Sequence, residues 1–177
     1  MKLNWQGHTD YILGTYEPWT TKTLRQYLKP GDCCIDVGAH LGYFTILMAR
    51  LVGPEGLVVA FEPFPENFKI LQENIELNHL KNVKLEPIAL NDQNGLLSLG
   101  FAIRQQLSLT PSVSGYAIEG EKESIIVPAR SLDSYLTEFA LVPDFIKIDV
   151  EGYEIEVLKG AIETVKKFRP ILGISLH

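Results

Sequence analysis

The stretch "CCIDVGAHLGYFTILMARLV", residues 33–52, decides how the rest of the chain is read. Its first residues are apolar except for Asp36, two glycines follow at 38 and 42, and ten residues apolar nearly all round close it. A buried strand, a tight turn and a buried helix in direct succession open a βαβ layer. Glycine at the turn permits a sharp change of direction and close approach of the backbone to another group.

The same alternation runs outward from this unit. Upstream, "WTTKTLRQYL" (19–28) predicts a short leading helix closed by Pro30-Gly31. Downstream, Gly53-Pro54-Glu55-Gly56 is a turn and "LVVAFEP" (57–63) a second strand. Pro65 suits a first helical position, where its missing N–H would have no partner. Phe68, Leu71 and Ile75 then fall at i, i+3 and i+7, so one face packs inward. "VKLEPIAL" (83–90) reads as a third strand and "DFIKIDV" (144–150) as a fourth. Residues 154–168 form a helix with Ile155, Leu158, Ile162 and Val165 on one face, and "ILGISLH" (171–177) is a final strand.

Strands separated by helices imply parallel pairing through right-handed crossovers. The expected fold class is therefore α/β, a Rossmann-like, doubly wound, mostly parallel sheet. The whole chain, 1–177, is read as one domain with a leading helical segment at 1–30. The interval 93–136 breaks the alternation. "LLSLGFAI" (96–103) and "SIIVPA" (124–129) read as inserted strands, with a long loop, "LTPSVSGYAIEGEKES", between them. Loops of that length are usually functional, so a substrate-facing lid or hairpin is expected there, with Arg104, Gln105 and Tyr116 as polar contacts.

Composition narrows the function. A net charge of −6 with no basic stripe argues against nucleic acid and against a membrane surface as partners. No apolar run reaches the roughly 18 residues a spanning helix needs, and no signal-peptide pattern opens the sequence. The two cysteines, Cys33 and Cys34, are adjacent and cannot staple distant segments, so a reduced, cytoplasmic setting is expected.

In an open parallel sheet, ligands sit at the carboxyl ends of the strands. Asp36, Gly38 and Gly42 occupy such an end, and the helix after Gly42 aims its first N–H groups at whatever is bound. Twenty residues after Gly42 comes Glu62, at the tip of the second strand, where a carboxylate can accept both hydroxyls of a ribose. The cofactor therefore contains adenosine. A dinucleotide fingerprint would place glycine where this chain has His40, and a side chain there obstructs a pyrophosphate. Asp36 would also repel phosphates yet suit a cationic amino acid, which favours S-adenosylmethionine over a nicotinamide dinucleotide.

The second informative stretch is "FIKIDVEGYE" (145–154). Strand alternation sets Lys147, Asp149 and Glu151 on one side. Two readings stay open. In one, Lys147 and Asp149 are a buried ion pair that shapes the cleft. In the other, Asp149 and Glu151 orient an acceptor, take its proton or hold a divalent metal. An unperturbed carboxylate, with a pKa of about 4, is a weak base for an alcohol. Proton loss then accompanies group transfer, or a metal or an imidazole such as His177 assists.

These blocks together resemble the FkbM-type methyltransferases. The resemblance is carried by "IDVGAHLGYFTILMARLV", "FEPFPENFKILQENIELN", "IALND", "SLDSYL" and "IKIDVEGYEIEVLKGA", in that order, over about residues 31–172. It implies a class I methyltransferase fold that uses S-adenosylmethionine and methylates a hydroxyl on a sugar, glycolipid or secondary metabolite. It implies cofactor roles for Asp36, Gly38, Gly42, Glu62 and Asp92, with their neighbours Ala39, His40, Pro63 and Asn91, and an acidic catalytic block at Lys147, Asp149 and Glu151. Three departures accompany it: His40 replaces an asparagine, Ser175 replaces an acid, and the family's sheet carries two strands beyond the one at 171–177. The open edge of that strand is expected either to be covered by a second copy of the chain or to mark a shortened form. Two other functions are weighed: a relative that binds the cofactor without catalysis, and a nicotinamide-dependent oxidoreductase.

Overall fold

The computed structural model describes residues 16–102 and 122–175. Helix α1 (Pro18–Tyr27) leads into β1 (Cys33–Val37), α2 (Tyr43–Val52), β2 (Leu57–Phe61), α3 (Pro65–Leu77) and β3 (Val83–Glu86). The chain continues through β4 (Ala89–Leu90), β5 (Gly95–Ala102), β6 (Lys122–Arg130) and α4 (Leu132–Glu138). It ends with β7 (Phe145–Ile148), α5 (Glu154–Lys159), α6 (Ile162–Phe168) and β8 (Ile171–Ile174). No helix among the described residues is long and apolar enough to cross a membrane.

The main sheet has the order β3-β2-β1-β7-β8, and every pairing in it is parallel. β1 is central, and β7 reaches its side from 111 residues further along the chain, as the hydrogen bond from the Cys33 N–H to the Asp144 carboxylate marks. Both faces are covered, which is why these strands are apolar with little alternation. On one face Ile35, Val37, Val59, Phe61, Ile146 and Ile148 pack against α4, α5 and α6. On the other, Cys34, Val58 and Phe145 meet α1 and α2, while Ala60 meets α2 and α3 through Ile46, Leu71 and Ile75. Such a side chain contributes roughly 1.5–3 kcal/mol when fully buried, so this two-sided core is the main source of stability.

Three expectations are corrected. The stretch 83–90 is two strands: β3 stays at the edge of the main sheet, whereas β4 crosses to a second sheet of order β4-β6-β5. Pro87 lies between them and cannot donate to a ladder, which is where the pairing breaks. The helix at 154–168 is also two, separated at Gly160-Ala161. A Cβ on Gly160 would lie 2.0 Å from the Asn91 carbonyl oxygen, so the helix pair bends where two backbones touch. Finally, the inward face there is Glu154, Val157, Ala161 and Thr164, with Ile155 65% exposed. Leu158 and Val165 flank the core as expected.

The two strands expected within 93–136 are β5 and β6, paired antiparallel. The loop between them, with Arg104, Gln105 and Tyr116, lies outside the described residues, as does His177.

Candidate functional site at the tips of the central strands

The site is built on the carboxyl ends of β1, β2 and β7. After Val37 the chain passes through Gly38 at φ 77°, His40 at φ 52° and Gly42 at φ 90°, three left-handed residues within five positions. Histidine tolerates this region better than branched side chains do. A Cβ on Gly38 would lie 1.9 Å from the Asp149 carbonyl oxygen, and one on Gly42 would lie 2.5 Å from Leu71 Cδ1. Gly38 is thus demanded by the backbone that follows β7 as well as by its dihedral, whereas Gly42, which faces only a leucine methyl, is demanded by its left-handed backbone.

The turn's N–H groups are already committed. Those of Gly38 and Ala39 donate to the Phe61 carbonyl at 3.1 and 3.0 Å, and that of Gly42 to the Ala39 carbonyl at 2.9 Å. The His40 N–H donates to Glu62 Oε2 at 2.8 Å. A pyrophosphate cradle needs such donors turned outward. Here four of them face protein acceptors.

Glu62 is 4% exposed, and its other oxygen, Oε1, accepts from the Phe64 N–H at 3.0 Å. Burial pushes its pKa up to about 7, offset in part by those two N–H donors and by the Asn67 amide, while Asp36 pushes it further up. The carboxylate therefore joins the β1 turn to the start of α3. Pro63 is half-buried and precedes Phe64, whose ring is buried.

Asp36 is fully buried. Its Oδ2 accepts from the Thr45 hydroxyl at 2.6 Å, and its Oδ1 lies 3.4 Å from Lys147 Nζ. The two residues are register partners across β1 and β7, so their side chains leave the sheet on the same side, beneath α2. Lys147 Nζ also sits 3.3 Å from Asp149 Oδ2 and 5.1 Å from the centroid of the Phe44 ring. Desolvation would lower the lysine pKa, but Asp36 and Asp149 outweigh it and the net direction is upward. Lys147 is a held cation between two carboxylates. A Lys147–Asp149 pair was one of the two readings left open above; its third member, Asp36, was not foreseen.

Lys147, Asp149 and Glu151 do not continue along one strand face. β7 ends at Ile148, the Asp149 N–H closes onto the Val37 carbonyl at 3.1 Å, and Glu151 turns to φ 53° as an exposed residue. The loop is held by an acid that sequence reasoning missed. Glu154, 4% exposed, accepts from the Gly152 N–H at 3.0 Å and lies 3.4 Å from the Val150 N–H. Among the described residues no group of three or more His, Cys, Asp or Glu is arranged to hold a metal. With Asp149 Oδ2 engaged by Lys147, the Asp149–Glu151 pair does not fit a divalent ion.

Asn91 and Asp92 follow β4 on the far wall of the same strand tips. Asn91 Oδ1 accepts from the Asp92 N–H at 2.8 Å and from the Tyr153 hydroxyl at 3.1 Å. Tyr153 thus ties the rim after β7 to the rim after β4, a contact for which the sequence carried no signal. A hollow between α4 and α6, lined by Leu136, Leu141, Val142 and Phe168, lies near the residues that lead into β7, away from the strand tips that carry Glu62.

Comparison with known proteins accords with this geometry. Residues 36–177 match the family model described as "Methyltransferase FkbM domain". The 31-O-demethyl-FK506 methyltransferase FkbM of Streptomyces tacrolimicus is 30% identical over 159 residues, covering 75% of this chain and 60% of that protein. The 2-O-methyltransferase NoeI of Sinorhizobium fredii (strain NBRC 101917 / NGR234) is 28% identical over 156 residues, covering 80% and 62%. The chain spans about three fifths of the length of these relatives. A solved structure, precorrin-6y C5,15-methyltransferase from Geobacter metallireducens GS-15, superposes with a TM-score of 0.53 over 88% of this chain and 60% of that one, at 15% identity. That likeness concerns the fold, which is of the class I methyltransferase type. With the family model covering most of the chain and the sheet built in this order, the protein belongs to the FkbM methyltransferase family.

Proposed function

We propose that this chain is an S-adenosylmethionine-dependent O-methyltransferase acting on a hydroxyl of a small molecule or carbohydrate. The observation that carries the reading is Glu62: a buried carboxylate at the tip of β2, tied by backbone N–H groups to a turn whose other donors are spent on protein. A carboxylate has about four acceptor sites. Two are taken by His40 and Phe64, which leaves two for the adjacent hydroxyls of a ribose. The committed turn speaks against a nicotinamide dinucleotide, whose pyrophosphate would need those N–H groups. The names of two relatives specify transfer to oxygen in those proteins, which supports the same bond here.

When bound, the cofactor would supply an activated methyl for the acceptor oxygen, with its sulfonium becoming the thioether leaving group and the hydroxyl proton passing to water. Glu62, Pro63, Ala39, His40 and Gly42 would hold the adenosyl half, and Asn91 and Asp92 the purine side. Lys147 stays charged and is no base. Its work is to fix Asp36 under the turn and Asp149 at the rim, where Asp149 and Glu151 face the acceptor. Alignment of two reactants can supply on the order of 7–11 kcal/mol of a barrier, so positioning carries most of the catalysis.

Calorimetry with S-adenosylmethionine and S-adenosylhomocysteine tests the reading. Binding of either, weakened about 10–100-fold by Glu62→Ala, is expected from the loss of charge-assisted hydrogen bonds. Asp149→Ala should leave that affinity within a few-fold and lower turnover by about tenfold or more. No heat and no thermal shift with either compound would refute the proposal. Because Asp149 is engaged by Lys147, a second reading has support: a relative that binds the cofactor without transferring it. That protein would bind S-adenosylhomocysteine yet release none from S-adenosylmethionine with any hydroxyl acceptor pool.

A further inference from the structure

We propose that Asn67 is a positioning residue for the cofactor site, acting through Glu62: its buried amide N–H₂, without a hydrogen-bond partner among the described residues, supports that carboxylate as an acceptor for the ligand. The inference rests, for its ligand, on the cofactor reading above. Its starting point is an anomaly. Asn67 is 4% exposed, and its Nδ2 has no hydrogen-bond partner among the described residues. A buried donor left unmade costs about 1–3 kcal/mol, so a fold retains one where it serves something else.

What it serves is set by its place. Asn67 stands in the first turn of α3, the helix that starts directly after the Glu62-Pro63-Phe64 segment. It shares the inward stripe of that helix with Leu71, Asn74 and Ile75. Its amide is close enough to Glu62 to favour the charged form without reaching hydrogen-bond geometry. The amide thus bears on the carboxylate from nearby, while the hydrogen bonds that Glu62 accepts from the turn come from the His40 and Phe64 N–H groups.

The groups that bear on Glu62 come from three elements. Asp36 on β1 opposes its ionisation, and the backbone N–H groups of His40 in the turn and Phe64 before α3 support it. Asn67 on α3 is the remaining support. Burial alone drives the carboxyl toward the neutral form, and with these supports its pKa still stands at about 7. A protonated Glu62 would have to donate one hydrogen and could no longer accept from both hydroxyls of a diol. Removing the Asn67 dipole would therefore shift the ligand-competent form to higher pH.

The test reads Glu62 directly and then the ligand. Carboxyl ¹³C titration of the free protein should give a Glu62 midpoint near 7. In Asn67→Leu the midpoint should rise by roughly one pH unit. S-Adenosylhomocysteine affinity should then be up to about tenfold weaker than wild type at neutral pH and should converge with it at about pH 9. Should Asn67→Leu fail to fold, Asn67→Asp keeps the volume, adds a like charge and should raise the midpoint at least as far. An unchanged midpoint in both variants, or an affinity loss equal at every pH, overturns the proposal, since a merely structural role predicts that pattern. A shifted midpoint in a wild-type-like fold that binds no S-adenosylhomocysteine would instead uphold the Asn67–Glu62 coupling and sink the cofactor reading.

Discussion

Lys147 is a buried cation whose charge is set against two carboxylates. Buried between Asp36 and Asp149, it compensates two carboxylates with one ammonium, and Thr45 supplies a further hydrogen bond. Lys147→Met would keep much of the volume and leave both acids without their cation. Removing one member of a buried pair typically costs about 3–5 kcal/mol. Denaturant unfolding at neutral pH should show a loss of that order. The deficit should shrink in acid, because orphaned carboxylates relieve themselves by taking up protons. A deficit that stays constant down to about pH 4 would mean that packing, and not charge, had been lost.

Among elements, the join between α5 and α6 shows how a helix can be divided by a neighbour. Helical spacing over 154–168 is continuous, and nothing local forbids one helix except a single glycine. The division comes from outside: Asn91 lies against Gly160, and the side chain of Asp133 on α4 accepts from the N–H groups of Glu163 and Thr164 at 3.0 and 2.7 Å. That carboxylate caps α6 from another helix, in the manner of a local N-cap. Gly160→Ala would set a methyl against backbone, which has little room to give. It should cost about 1–3 kcal/mol by overpacking. Because the atom struck belongs to the Asn91–Asp92 rim, cofactor affinity should fall as well. A thermal melt together with calorimetry would separate this from a simple loss of stability, in which affinity per folded molecule is unchanged.

Across the whole molecule, stability should follow the topology of the sheet. β1, β2 and β7 have strands on both sides and helices above and below, whereas among the described residues β3 and β8 each pair on one side only. Native-state hydrogen exchange should therefore be slowest at Ile35, Val59 and Ile146 and faster along β3 and β8. Equal protection in β8 and β1 would show that something covers the outer edge of β8, and a second copy of the chain is the first candidate.

The boundaries of β1 and α2, the start of α3, and the parallel order implied by alternating strands and helices could be read from the sequence because they depend on periodicity and on glycine and proline, which act within a few residues. The glycine turn and Glu62 were legible for the same reason: both stand at fixed offsets from strand ends. Asn67 and Glu154 escaped because polar residues on a helix are ordinarily taken as solvent-facing. Spacing did hold a clue, since Asn67, Leu71 and Asn74 fall at i, i+4 and i+7 on one stripe. The sequence by itself thus determined the layered α/β architecture, the glycine corner after β1 and the family. Only the tertiary structure decided that Asp36 and Lys147 are partners, that β4 leaves the main sheet and that the last helix is split. Each of those depends on contact between segments distant along the chain, where register and burial, not local preference, set the energy.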